Sequence, residues 1–342
     1  MMECSCSVYV IAEVGVNHNG SLDMAIELVR AASRAGANAV KFQAYHAEAI
    51  ASPRARKAGY QERATGGEQS QLEMLRALEF GEDKHRAVLA EGREIGIDVL
   101  SSAFDLESLA MLVRLGMTTL KVPSGEITNL PYLRAVADAT AFGQGRVIMS
   151  TGMADLAEVS AALGVLTQGG VASDDVTLLH CTSEYPASVA DVNLRAMIEM
   201  QDTLGVAVGY SDHTEGFAIT TAAVALGATV IEKHLTLDRT LPGPDHRASL
   251  EPLEFGRMVG AIRAVASALG DGVKRPVEAE LANRDVVRKS IVAATDIAQG
   301  DLFSEENLTT RRPGTGLSPM RWDDVIGARA PRDFAADEEV EL

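Results

Sequence analysis

Eight short apolar runs alternate with stretches of helical period along the first 270 residues of the chain. Continuous apolar strands that alternate with amphipathic helices indicate a parallel sheet whose outer face is covered by helices. Eight such units in about 270 residues match the size of a (β/α)8 TIM barrel. The predicted strands span residues 8–14, 39–43, 98–101, 119–123, 146–150, 176–181, 206–210 and 229–232.

The main alternative is an open, doubly wound α/β sheet, which also alternates strands with helices. Such folds often carry a glycine-rich phosphate-binding turn after the first strand. Here the first strand is followed by Gly15-Val16-Asn17-His18-Asn19-Gly20, which matches neither G-x-G-x-x-G nor G-x-x-x-x-G-K-[ST]. We therefore predict the closed barrel.

Polar side chains stand at or just beyond the end of every predicted strand. The carboxyl ends of barrel strands meet at one mouth, where TIM-barrel enzymes keep their chemistry. One polar strand end could arise by chance, whereas eight together predict a functional site. The candidate residues are Glu13, Lys41, Gln43, Ser102, Lys121, Ser124, Glu126, Ser150, Tyr185, Ser211, His213, His234 and Asp245.

Two of these candidates are histidines on neighbouring strand ends, His213 and His234, which lie 234 − 213 = 21 residues apart. Neutral imidazole is a common ligand of divalent transition metals. With two protein ligands at an open mouth, we expect exchangeable Mn²⁺ or Mg²⁺ in preference to a tight structural zinc. The alternative is that each histidine only bonds a backbone carbonyl.

Two lysines, Lys41 and Lys121, also end apolar strands, where an unpaired ammonium would be costly to bury. Each could form a structural ion pair with Glu13 or Glu126. Alternatively, the lysines form an anion cradle, such as a phosphate receptor, with hydroxyl groups as further donors. Those hydroxyl groups belong to Ser102, Ser124, Ser150 and Ser211. The sequence leaves both interpretations open.

Five further side chains could fix a polyhydroxylated substrate or move protons. Any single one of them could equally be a solvated residue of the rim, so the indication comes from the set. The five are Glu13, Gln43, Glu126, Tyr185 and Asp245.

Composition narrows the classes of function. The formal net charge of −17 argues against nucleic-acid binding, because no basic surplus exists to displace counterions from phosphates. Three cysteines, Cys4, Cys6 and Cys181, follow no framework spacing, which indicates a reducing compartment. No basic leader and no apolar run of membrane-spanning length is present. We expect a cytoplasmic protein without a membrane partner.

The chain changes character beyond the predicted barrel. We assign residues 1–272 to the barrel domain, 273–288 to a charged linker, and 289–342 to a small β-rich domain. A tail of this size is near the lower limit for independent folding, so we expect contacts with the barrel or with a partner subunit to stabilise it. Within the barrel, residues 48–78 are too long for a simple connection and suggest a lid or substrate wall, with a disordered insertion as the alternative.

Taken together, the motifs resemble those of bacterial sialic acid synthases, which make N-acetylneuraminate, legionaminate and related nine-carbon sugars. The resemblance covers nearly the whole chain. In the tail, Arg312-Pro313-Gly314-Thr315-Gly316 resembles the signature of the family's antifreeze-like (SAF) domain. The other matching runs are Ile11–Gly20, Val40-Lys41-Phe42-Gln43, Lys121–Glu126, Ser150-Thr151-Gly152-Met153, Gly209–Thr214, Glu232-Lys233-His234 and Pro242-Gly243-Pro244-Asp245.

The resemblance implies condensation of phosphoenolpyruvate with an open-chain N-acyl hexosamine and water, releasing phosphate by carbon–oxygen cleavage. It also implies a Mn²⁺ on His213 and His234, and Glu13 and Glu126 near the sugar and the metal-bound water. The positions implied to hold phosphoenolpyruvate are Lys41, Ser102, Lys121, Ser124, Ser150 and Ser211. Those implied to contact the sugar are Gln43, Tyr185, Asp245 and Arg312.

By the same resemblance, Arg312 reaches the partner subunit's mouth and contacts the N-acyl group, which implies a domain-swapped homodimer. The sequence leaves two candidates for the acceptor sugar. N-acetylmannosamine, giving N-acetylneuraminate, is the generic expectation. The long loop lacks the asparagine often found in such enzymes, and residues 57–61 and 245–250 look closer to the legionaminate-type branch, whose acceptor is 2,4-diacetamido-2,4,6-trideoxymannose.

Two more remote alternatives remain at this point. One is a phosphoenolpyruvate-dependent synthase that acts on a sugar phosphate. The other is a non-catalytic carbohydrate- or ice-binding protein built around the tail.

Overall fold

The computed structural model describes residues 8–66, 70–141 and 143–342, so Cys4 and Cys6 lie outside the described residues. The chain divides into two compact units between Gly270 and Asp271. Each unit has its own hydrophobic core. Among the described residues, no helix combines the length and the apolar character that crossing a membrane requires.

The first unit is a closed barrel of eight parallel strands in sequential order, which confirms the predicted architecture. Strands seven and eight run two residues further than predicted, because Ser211 and Asp212 remain paired with Glu232 and Lys233. His234 is therefore the last residue of its strand. The strands are β1 Tyr9–Gly15, β2 Ala39–Ala44, β3 Asp98–Ala103, β4 Thr119–Val122, β5 Arg146–Ser150, β6 Val176–Cys181, β7 Ala207–Asp212 and β8 Val230–His234.

Helices cover the outside of the barrel, and several begin at a short polar side chain. Ser21, Asp105, Asn129 and Asp155 each accept a hydrogen bond from the backbone N–H three residues later, which satisfies an otherwise free donor. The barrel helices are α1 Leu22–Arg34, α2 Ala47–Ile50, α3 Gly59–Thr65, α4 Gln71–Leu78, α5 Glu82–Ile95, α6 Leu106–Arg114, α7 Leu130–Thr140, α8 Leu156–Gln168, α9 Arg195–Leu204, α10 Ala218–Ala225 and α11 Pro252–Leu269.

The barrel interior holds a separate apolar layer below the mouth. Its members are Ile11, Ala39, Leu100, Ile148, Leu179 and Val230. Each stands two residues before a side chain of the mouth on the same strand, so the alternation of the strand points both residues inward. On β7 the corresponding residue is Gly209, where a Cβ would meet the carbonyl oxygen of Val230 at 2.3 Å.

The segment after β2, predicted as a lid or wall, carries the short helices α2, α3 and α4 in its described part. α4 begins with a capping box, in which Ser70 and Glu73 bond each other's backbone N–H. Its buried Met74 and Leu78 pack with Val16 and Tyr45 of the barrel, and its buried Leu72 packs with Ala47 and Ala51 of the segment itself. In front of α3, the Lys57 ammonium donates hydrogen bonds to Thr65 Oγ1 and to the carbonyl oxygen of Gly66.

The second unit contains α12 Glu278–Val287, the antiparallel pair β9 Ser290–Ala293 and β10 Leu308–Arg311, and α13 Trp322–Val325. Its core is small and is formed by residues such as Ile291, Phe303 and Phe334. The segment predicted as a linker is not simply extended, because α12 occupies most of it. No residue of α12 is buried in this unit, which is why its sequence lacks a clear apolar period.

Candidate active site

All thirteen predicted strand-end residues line one cavity of about 480 Å³ at the carboxyl ends of the strands. Parallel strands of similar length bring their ends to the same level, so residues far apart in sequence converge. Arg312 is the exception among the predicted site residues. It lies in the second unit, directly after β10, and its side chain is exposed.

Two buried lysines form the floor of the cavity. Lys41 Nζ lies 2.6 Å from Glu13 Oε2 and donates a hydrogen bond of 3.0 Å to Ser102 Oγ. Lys121 Nζ donates a hydrogen bond of 2.6 Å to Ser150 Oγ. We call Lys41, Lys121, Ser102 and Ser150 the lysine–serine cradle.

Glu232, which the sequence reasoning missed, stands between the two lysines. Its Oε2 is 3.7 Å from Lys41 Nζ and its Oε1 is 3.8 Å from Lys121 Nζ, and Oε1 also accepts a hydrogen bond of 3.0 Å from Ser211 Oγ. The signal that could have found it is its position two residues before His234, which places both side chains on the same face of β8.

The predicted ion pair with Glu13 or Glu126 is found for one of the two lysines. Lys41 forms the ion pair with Glu13, but Lys121 faces Glu232 and not Glu126. Glu126 instead accepts a hydrogen bond of 2.6 Å from Asn129 Nδ2 in its own turn.

Burial and neighbouring charges set the protonation states of the carboxyl and ammonium groups on the cavity floor. Burial raises the pKa of Glu13, against the pull of Lys41. Burial also opposes ionisation of Glu232, but Lys121 and Lys41 outweigh it and lower the pKa of that carboxyl. Burial lowers the pKa of the Lys121 ammonium. An anion bound beside Lys121 would stabilise its charged form, as the floor of an anion site requires.

The two histidines lie side by side above this floor, with ring centroids 5.6 Å apart. Burial lowers the pKa of His213 to about 4 and holds the pKa of His234 well below its usual value, so both rings are neutral near pH 7. His213 Nδ1 donates to the carbonyl oxygen of Thr182 at 2.6 Å, which leaves the lone pair on Nε2. His213 therefore does bond a backbone carbonyl, but with one nitrogen only.

The donor set fits a loosely held divalent ion. The buried Nδ1 of His234 has no hydrogen-bond partner in the part of the chain that the structure describes. Among those same residues, no group of three or more His, Cys, Asp or Glu side chains is arranged as a metal site. An ion here would take the two imidazoles and complete its coordination from water or substrate.

Tyr185 covers the histidines and joins them to the inserted segment. Its ring centroid is 4.1 Å from that of His213 and 5.5 Å from that of His234. Tyr60 of α3 packs against Tyr185 at 4.7 Å, and Arg63 of α3 is paired with Glu184. The inserted segment also gives the cavity an apolar wall, to which Ile50, Tyr60, Met74, Leu75 and Leu78 contribute.

Three further candidates, Gln43, Asp245 and Ser124, line the same cavity. Gln43 Nε2 donates a hydrogen bond of 3.4 Å to Glu13 Oε1. Burial raises the pKa of Asp245 to about 6. Ser124 Oγ accepts a hydrogen bond of 3.0 Å from the N–H of Gly152 and lies 3.3 Å from Cys181 Sγ, a cavity residue that the sequence reasoning did not select.

Comparison with known proteins gives two family matches. The model of the NeuB family matches residues 28–274, and that of the SAF domain matches residues 288–340. The chain is 47% identical to the N,N'-diacetyllegionaminic acid synthase of Campylobacter jejuni, covering 96% of this chain and 97% of that protein. The synthase of the same name from Legionella pneumophila is 45% identical, with 97% and 93% covered.

Among solved structures, the N-acetylneuraminic acid synthetase of Leptospira borgpetersenii, crystallised with citrate, superposes with a TM-score of 0.71 at 33% identity. The match covers 81% of this chain and 90% of that one. The predicted resemblance is thereby confirmed.

Proposed function

Because the chain belongs to the NeuB family, a family of nonulosonic acid synthases, we propose that it condenses phosphoenolpyruvate with an open-chain N-acyl hexosamine and water. The products are a nine-carbon sugar acid and inorganic phosphate. The observation that carries this proposal is the lysine–serine cradle directly below two neutral histidines in one cavity. The cradle suits an anionic enol phosphate, and we expect the acceptor to bind beside the histidines.

In the proposed reaction, Lys121 and Ser150 hold the phosphate group, and Lys41 and Ser102 complete the anion site. The methylene carbon of phosphoenolpyruvate bonds to the aldehyde carbon of the sugar, and the aldehyde oxygen takes up a proton to become a hydroxyl group. Water adds to the resulting cationic centre at the enol carbon and loses a proton. The carbon–oxygen bond to phosphate then breaks as the new hydroxyl group gives its proton to the departing phosphate, which leaves a ketone and inorganic phosphate. Glu13, whose raised pKa allows either protonation state near neutrality, is placed to move a proton beside the acceptor.

We further propose that His213 and His234 hold a divalent ion, Mn²⁺ or Mg²⁺. When bound, it would act as a Lewis acid on the aldehyde oxygen. The protein's own contribution is to keep both imidazoles neutral and fixed, through burial and through the bond from His213 to Thr182. Tyr185 shields this side of the cavity from water.

For the acceptor we propose 2,4-diacetamido-2,4,6-trideoxymannose, the second of the two sugars considered above. The two legionaminic acid synthases among its relatives support this choice. So does the apolar wall from the inserted segment, since a 6-deoxy sugar with two acetamido groups is less polar than N-acetylmannosamine.

The test measures phosphate release from phosphoenolpyruvate with a panel of acceptors and Mn²⁺. We expect the highest kcat/KM with 2,4-diacetamido-2,4,6-trideoxymannose. Preference for N-acetylmannosamine would overturn the choice of acceptor but not the reaction. Turnover only with a sugar phosphate such as arabinose 5-phosphate would overturn the proposed function.

We also propose that the active form is a domain-swapped homodimer in which Arg312 contacts the N-acyl group in the partner subunit's cavity. The exposed position of Arg312 after β10 leaves its guanidinium free for such a contact. Mixing an Arg312→Ala chain with a His213→Ala chain should bring part of the activity back to the wild-type acceptor KM, because the hybrid dimer holds one intact site. An acceptor KM that stays at the Arg312→Ala value in the mixture would contradict the shared site.

A further inference from the structure

The strand alternation that points the two histidines into the cavity points their neighbours away from it. His213 and His234 line the cavity, whereas Asp212 and Lys233 do not. The side chains of Asp212 and Lys233 are both fully buried on the outer side of β7 and β8. Their Cα atoms are partners in the parallel pairing of the two strands.

Lys233 holds the chain on both sides of His213. Its Nζ lies 3.0 Å from Asp212 Oδ2 and donates a hydrogen bond of 2.5 Å to the carbonyl oxygen of Thr214. Lys233, which precedes His234, is therefore bonded to Asp212 and Thr214, the residues on either side of His213. Movement of β8 relative to β7 would break these bonds.

Asp212 is fixed in the same way from its own side. Its Oδ1 accepts hydrogen bonds of 2.8 Å from the N–H and the hydroxyl of Thr214. Its Oδ2 accepts a hydrogen bond from the hydroxyl of Thr220 in α10. Each oxygen of the buried carboxylate thus has a partner of fixed direction, which ties the turn around His213 to α10.

We propose that Asp212 and Lys233 are a positioning pair that sets the separation of the two imidazoles for a divalent ion. This inference rests on the metal site in the proposed function. A buried ion pair is a poor way to gain stability, since apolar residues of similar size often serve as well. The directional bonds on both sides of His213 instead fix the position of this histidine relative to His234. Removal of residues that orient metal ligands typically lowers metal affinity 10- to 100-fold.

The test separates geometry from stability. Mn²⁺ binding to the chelator-treated protein is followed by the electron paramagnetic resonance of free Mn²⁺, and urea unfolding is measured without metal. Lys233→Met leaves a buried unpaired carboxylate and should shift the unfolding midpoint strongly downward. Asp212→Asn/Lys233→Met removes both charges, so the midpoint should recover much of that loss. The Mn²⁺ dissociation constant of the double variant should still be raised about 10- to 100-fold.

Asp98→Asn is the matched control. Asp98 accepts a hydrogen bond of 2.6 Å from Tyr9 Oη at the opposite end of the barrel, so its loss should leave Mn²⁺ affinity unchanged. Thr220→Val is a milder variant that removes one bond to Asp212 at nearly constant volume. It should weaken Mn²⁺ binding several-fold, and it keeps the test decisive if the double variant does not fold.

Wild-type Mn²⁺ affinity in the folded double variant, or in Thr220→Val, would overturn the positioning role and leave the metal site standing. Absence of Mn²⁺ binding to the wild-type protein would overturn the metal site itself, and the positioning role with it.

Discussion

Replacing Lys121 by Met tests whether the cradle binds phosphoenolpyruvate. Lys121 is almost fully buried, with Nζ 2.6 Å from Ser150 Oγ and 3.8 Å from Glu232 Oε1. Methionine keeps an unbranched chain in the same space but carries no charge and no donor. The substitution therefore removes the electrostatic contribution with little change in packing.

The expected magnitude follows from the charges around Lys121. Two unit charges 4 Å apart attract by about 4 kcal/mol at an effective dielectric constant of about 20. The variant loses this attraction to the substrate anion, and Glu232 then faces that anion with Lys41 as its remaining lysine partner among the described residues. Part of the loss is offset, because burial of the Lys121 ammonium is itself unfavourable. We expect a net loss of about 3–4 kcal/mol, or roughly 100- to 1000-fold in kcat/KM for phosphoenolpyruvate.

The assay is the initial rate of phosphate release against phosphoenolpyruvate concentration at saturating acceptor. Lys84→Met is the matched control, since Lys84 donates to the carbonyl oxygen of Gly20 at 2.7 Å and does not line the cavity. The control should stay within about twofold of wild type. A folded Lys121→Met enzyme within about fivefold of wild type would refute the cradle as the phosphoenolpyruvate site.

Three further predictions concern stability and the acceptor. Gly209→Ala should lower the free energy of unfolding by urea by about 1–3 kcal/mol or more, because its Cβ would lie 2.3 Å from the carbonyl oxygen of Val230. The control Gly164→Ala, in the open surroundings of α8, should be neutral or stabilising. An equal loss of stability in both variants would contradict the steric reason. Burial lowers the pKa of His18 to about 3, so the unfolded chain binds a proton below pH 6.5 that the folded chain does not. The wild-type free energy of unfolding should therefore fall relative to His18→Phe by about 1.4 kcal/mol per pH unit as the pH drops below about 6, and parallel pH profiles would exclude this role. Arg312→Ala should raise the acceptor KM about 10- to 100-fold, as expected for loss of a charged hydrogen bond, with the phosphoenolpyruvate KM little changed; equal effects on both would count against an acyl contact.

The barrel and its cavity could be predicted because both depend on local patterns. Apolar runs and helical periods locate the strands and helices, and a closed barrel then gathers the strand ends without further information. Side-chain pairing could not be predicted in the same way. Glu126 lies five residues from Lys121 and suggests a local ion pair, yet it bonds Asn129, and Lys121 faces Glu232 on a distant strand.

The helix α12 shows the other limit of sequence patterns. An amphipathic period is visible only where a helix buries one face, and α12 has no buried residue in its own unit. Its apolar residues Leu281, Val286 and Val287 are exposed, as is Val277 just before the helix, so the segment reads as an irregular linker.

The apolar layer beneath the cradle closes the barrel interior below the cavity. Ile11, Ile148 and Leu179 close the inner end of the barrel, so in the proposed reaction both substrates would enter through the same mouth. The cradle lies at the bottom, and Tyr60 and Tyr185 lie above it. A sugar seated near these rings would block exchange of the anion beneath it, which imposes a compulsory order of addition. An unreactive acceptor analogue should therefore inhibit uncompetitively with respect to phosphoenolpyruvate.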